Sequence, residues 1–100
     1  MKIKLLPRTK TLQLHDQGLS ISISVPRSVI RKITELHQAE VPEDDLVAAV
    51  AKGEWAQELA RAFCLPSDRR YLPWDELTDM EKTCIDVTST RLAKRIVRAF

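Results

Sequence analysis

Between Leu19 and Val25 the chain alternates strictly, with Leu19, Ile21, Ile23 and Val25 on one side and Ser20, Ser22 and Ser24 on the other. A period of two is that of a strand with one dry and one wet face, and β-branched residues suit its pleated surface. Pro26 then opens a helix, because its missing N–H is one that a first helical turn leaves unpaired anyway. A lone strand is not stable, so this one needs a neighbour. Thr11-Leu12-Gln13-Leu14 can supply it through the turn residues His15-Asp16-Gln17-Gly18, giving a hairpin over about 11–25. Pairing with the same strand of a second chain is the alternative, and would make the protein a dimer.

The rest of the chain reads as helix. Val29, Ile30, Ile33, Leu36 and His37 form one stripe after Pro26, and Pro42 biases Val41 away from helical angles, so that helix ends near Glu40. Glu43, Asp44 and Asp45 suit the start of a second helix, where negative charge complements the dipole. It runs through Leu46, Val47 and Val50 to Gly53, which breaks or bends it. A third stretch, Glu54 to about Leu65, turns Trp55, Leu59, Ala62 and Phe63 inward. Residues 66–73 form a loop, Trp74–Leu77 a short turn, and Thr78-Asp79-Met80-Glu81 a capping box. The last helix follows, from about Asp79 to Ala99, with the stripe Ile85, Leu92, Ala93, Ile96 and Phe100. Trp55 and Trp74 anchor the core. The expected class is α+β, a short N-terminal β ribbon or hairpin followed by about four α-helices. Residues 1–52 carry the β element and two helices, and 53–100 are a helical module packed on them.

Two glycines in 100 residues argue against a phosphate-cradling loop. Cys64 and Cys84 are twenty positions apart, without a Cys-x-x-Cys pair, and His15 and His37 lie too far apart to complete a zinc site. The two cysteines can form one disulfide; the plainer expectation is two small buried hydrophobes in a reducing cytoplasm. No apolar run reaches the length of a signal peptide or membrane span, so a cytoplasmic protein is expected. His15 falls in the turn and His37 at a stripe edge. Ser24, His15 and Asp16 are a possible triad by presence alone, and helix-start electrostatics accounts for Asp44–Asp45 and Asp75–Glu76. Neither enzyme chemistry nor a cofactor or metal is expected.

Charge is distributed unevenly. Residues 1–10 hold Lys2, Lys4, Arg8 and Lys10 with no acid, and residues 91–100 hold Arg91, Lys94, Arg95 and Arg98 with no acid. The eighty residues between them carry all 14 acids against eight bases, a balance of −6. Basic ends fit nucleic acid or an acidic protein. Partner-binding candidates are therefore the acids Glu40, Glu43, Asp44 and Asp45, the loop residues Arg69, Arg70 and Tyr71, and Arg91, Arg95 and Arg98 on the last helix.

The run Ser20-Ile21-Ser22-Ile23-Ser24-Val25-Pro26-Arg27-Ser28-Val29-Ile30-Arg31-Lys32-Ile33 resembles the opening of the ribbon-helix-helix family. That resemblance covers about residues 19–52. It implies two chains joined by their strands, with Ser20, Ser22 and Ser24 facing base edges and the Val41–Asp45 region approaching phosphate; in a regulator of this kind Lys2, Lys4, Arg8, Lys10 and Arg27 are expected to hold phosphates. Residues 54–100, with Glu58-Leu59-Ala60-Arg61-Ala62 and Pro73-Trp74-Asp75-Glu76-Leu77, look like helical segments of small bacteriophage proteins. The expectation is a small phage-type accessory protein that binds a host protein or nucleoprotein stoichiometrically, an inhibitor of the anti-CRISPR kind. The alternative is a dimeric ribbon-helix-helix DNA-binding regulator.

Overall fold

The alternating segment is the third strand of an antiparallel sheet. In the computed structural model, which describes residues 2–6, 8–16 and 18–100, β1 (Lys2–Leu6), β2 (Thr11–Asp16) and β3 (Leu19–Ser24) lie in the order β1-β2-β3. The side chains of Asp16 and Leu19, and all of Gln17, lie outside the described set. The expected hairpin therefore forms within the chain, with Leu12 opposite Ile23 and Leu14 opposite Ile21. Gly18 takes φ +81° in its turn, a left-handed angle that suits a residue without Cβ. His15 belongs to β2 rather than to the turn, which is shorter than expected.

β1 was not expected. Its pairing sets Ile3 beside Leu14 and Leu5 beside Leu12, so the inner face of the sheet carries Ile3, Leu5, Leu12, Leu14, Ile21 and Ile23. The outer face carries Lys2, Lys4, Gln13, His15, Ser20, Ser22 and Ser24. Leu12 and Leu14 are fully buried, because β2 is central. Ile21, expected in the core, is 45% exposed. It lies on the edge strand, and among the described side chains of β3 and its end only Ile23 and Val25 reach the core.

Four helices follow: α1 (Arg27–Gln38), α2 (Glu43–Ala51), α3 (Glu54–Cys64) and α4 (Asp79–Ala99), with a single 3-10 turn at Trp74–Glu76. The main core joins Ile3, Leu12 and Leu14 of the sheet and Ile33 of α1 to α2 (Leu46, Val47, Val50) and α4 (Leu92, Ala93, Ile96, Val97). It therefore draws residues from both sides of Lys52. A smaller cluster, Ala60, Leu65, Leu77 and Ile85, sits under the loop, with Trp74 against it. Trp55 packs at the edge of the main core. In α3 the buried residues are Ala56 and Ala60, while Ala62 is exposed, so the helix presents a face slightly rotated from the one expected. Gly53 lies between α2 and α3, where a Cβ would crowd the Val50 carbonyl oxygen at 3.1 Å.

The end of α1 is closed by two backbone bonds. The Glu40 N–H donates to the His37 carbonyl (3.1 Å) and the Val41 N–H to the Leu36 carbonyl (3.1 Å). This is a Schellman closure, and its left-handed position is filled by Glu40 at φ +57° instead of by glycine. A side chain there costs roughly 1–2 kcal/mol, part of which glycine returns through its freer unfolded state. Glu40→Gly is therefore expected to stabilise the fold by about 0.5–1 kcal/mol, read as a melting temperature raised by a few degrees.

The capping box forms as expected. Thr78 Oγ1 accepts from the Glu81 N–H (3.2 Å), and Glu81 Oε1 accepts from the Thr78 N–H (2.9 Å). Glu81 also takes a two-pronged bond from Arg69, with Nε and Nη2 each at 2.7 Å. These bonds, the Arg69 guanidinium first, hold the Glu81 carboxyl at about 2, below its ordinary 4.5. Because the folded value lies below the unfolded one, the stabilisation is complete above about pH 5 and is lost as pH falls toward 2. In Glu81→Gln this contribution to the acid limb should vanish, which urea midpoints between pH 7 and pH 2 would measure.

Candidate functional site

The two basic ends of the sequence meet. β1 lies alongside the last three turns of α4, and between them runs a groove of about 710 Å³ lined by Lys2, Ile3, Lys4, His15, Arg91, Lys94, Arg95 and Arg98. The local reasons are periodic. Positions 91, 94, 95 and 98 fall on one stripe of a helix, and all four side chains are exposed. Lys2 and Lys4 alternate with the inward Ile3 and share the outer face of the sheet. Leu92, Ala93, Ile96 and Val97 hold the opposite side of α4 in the core, which fixes how the stripe points.

Six of the eight lining residues are cationic, and among the described residues the groove is lined by no carboxylate. Among the described residues Ile3 is the only apolar one lining it. At its end Glu43, at the start of α2, accepts through Oε1 from Arg98 Nε at 3.0 Å. Both side chains are well exposed, so this pair is weak and exchangeable. Lys2, His15 and Ser20 are cross-strand neighbours, and the Ser20 hydroxyl lies 3.0 Å from His15 Nδ1. By the same pairing the groove residues Lys4 and His15 border a polar row of Gln13, Ser20 and Ser22 on the outer face of the sheet. His15 faces Ser20 there, not the Ser24 of the possible triad.

The other sequence candidates lie elsewhere. Arg27 opens α1 and is exposed, as are Glu40, Asp44 and Asp45. Arg69 is held by Glu81, and Arg70 Nη2 donates to the carbonyls of Ala62 (3.1 Å) and Leu65 (3.4 Å). Arg61 donates from the other side to the Leu72 carbonyl at 2.6 Å. The loop arginines thus fasten residues 66–73 to α3 and α4, while Tyr71 alone of that trio projects, 90% exposed. Cys64 and Cys84 are not two buried hydrophobes: Cys84 is exposed, Cys64 half-buried, and their sulfurs are 2.7 Å apart.

Sequence reasoning named Lys2, Lys4, Arg91, Arg95 and Arg98 but assigned them to separate roles. Lys94 and His15 were left out of the candidate set. Alternation over Lys2–Leu5 was the signal that could have marked β1 as a strand. Among the described residues no group of three His, Cys, Asp or Glu is arranged to hold a metal ion, and no helix is long and apolar enough to cross a membrane. No protein-family model, curated protein or solved structure matches the chain.

Proposed function

We propose that the protein binds double-stranded nucleic acid stoichiometrically and without chemistry, laying the β1–α4 groove along a phosphate backbone. The observation that carries this reading is the convergence of six cations from opposite ends of the chain on one groove that, among the described residues, no carboxylate lines. Three of them are arginines, whose planar forks suit phosphate oxygens. A protein partner would be met by an apolar, aromatic centre, and among the described residues this groove offers only Ile3. A single strand would be met by stacking rings, and the groove residues include no Phe, Tyr or Trp.

In this arrangement the arginines and lysines position the duplex, while Gln13, Ser20 and Ser22 are the polar side chains nearest to it. Serine hydroxyls accept or donate to any base, so the contact is weakly selective for sequence. The reading keeps the expected accessory-protein mode of action, occupancy of a site, and directs it to the nucleic-acid part of a host nucleoprotein. It also retains the phosphate roles of Lys2 and Lys4 from the regulator alternative without requiring strands to pair between chains.

The test is a fluorescence-anisotropy titration of a labelled DNA duplex at low salt. Saturable binding is expected, with a single strand of the same sequence bound more weakly. No binding, or preference for the single strand, would overturn the proposal.

A further inference from the structure

Cys64 and Cys84 are twenty positions apart in sequence, yet the end of α3 and the second turn of α4 bring their sulfurs to 2.7 Å. A disulfide needs about 2.05 Å, so bonding requires an approach of well under 1 Å. Cys84 is exposed and lies in a surface depression of about 610 Å³ lined also by Phe63, Met80, Thr83 and Val87. A small oxidant has open access to it. We propose that Cys64 and Cys84 form a reversible oxidation site, converted by a hydroperoxide such as hydrogen peroxide into a disulfide that joins α3 to α4.

Burial, and the hydrogen bond with Cys84, push the Cys64 thiol up to about 11, so it stays protonated at neutral pH. The exposed Cys84 is therefore the sulfur that meets the oxidant. It attacks one peroxide oxygen, the O–O bond breaks, and one water leaves, giving a sulfenic acid at Cys84. Cys64 Sγ then attacks Cys84 Sγ. The S–S bond forms, the S–O bond breaks, and the sulfenic oxygen departs as a second water with the Cys64 proton. Two thiols lose two electrons in all, and one peroxide becomes two waters. Thr88 Oγ1, 3.3 Å from Cys64 Sγ, holds the resolving sulfur in place.

The test treats the reduced full chain with stoichiometric hydrogen peroxide. The expected product is a monomer lighter by two hydrogens, with no free thiol, whose non-reducing tryptic digest links peptides 62–69 and 83–91. Its melting temperature should rise by roughly 5–15 °C and return on adding dithiothreitol. Cys64→Ser should stop at a Cys84 sulfenic acid that dimedone traps, and Cys84→Ser should leave Cys64 reduced. Disulfide-linked dimers, a Cys84 oxidised alone in the unsubstituted chain, two unreacted thiols or an unmoved melting temperature would each overturn the proposal. None of these readouts depends on nucleic-acid binding.

Discussion

Reversing two charges in the groove, Arg91→Glu with Arg95→Glu, is expected to weaken duplex binding on the order of 100-fold at about 0.1 M salt. The two side chains lie one turn apart on the exposed stripe of α4, with the Debye length about 10 Å at that salt, so a phosphate chain in the groove feels both. Each substitution removes one favourable contact and adds one repulsion, which is why reversal should exceed neutralisation to alanine. Both residues are exposed, so the melting temperature should barely move, and that separates lost binding from lost fold. Glu43 provides the converse. Glu43→Gln releases Arg98 from its 3.0 Å partner and should tighten binding a few-fold. Anisotropy titrations of the variants side by side measure all of these.

Leu92→Ala is expected to cost about 2–5 kcal/mol, the range for truncating a buried leucine. Leu92 has no exposed surface and sits where the sheet, α2 and α4 converge. Against a total stability of about 5–15 kcal/mol, this loss should lower the melting temperature by 10 °C or more, to about 25 °C. Leu12→Ala, equally buried on the central strand β2, should do the same. Because both residues serve one core, each variant should shift a single unfolding transition, whether followed by near-ultraviolet or far-ultraviolet circular dichroism. Val87→Ala, on the outer face of α4 and 47% exposed, should change stability by less than about 0.5 kcal/mol.

Much of the architecture was legible because its signals are local. Seven alternating residues announced β3, Pro26 and Pro42 bounded α1, and the Thr78–Glu81 pair marked the first turn of α4. β1 was missed because only Ile3 and Leu5 alternate with lysines before Leu6 breaks the pattern, and so short a run reads as a charged end. Ile21 was expected inside because alternation tells which face a residue takes, not how far the helices reach across that face. The basic ends were visible in composition, but their meeting depends on the placement of β1 beside α4, which no short segment encodes. The same holds for Cys64 and Cys84, whose proximity comes from α3 lying against α4. Arg69 and Arg70 showed their charge in the sequence; the carboxylate and carbonyls that occupy them are set by the loop's closure.

The most direct measurement of the central claim is the slope of log K against log salt concentration for the unsubstituted protein and a DNA duplex. With six cations on the groove, one of them shared with Glu43, a slope of about −4 to −5 is expected, shrinking by about one for each cation removed. Binding that is flat with salt, or a slope unchanged in Arg91→Ala, Arg95→Ala and Lys94→Ala alike, would contradict a phosphate backbone lying between β1 and α4.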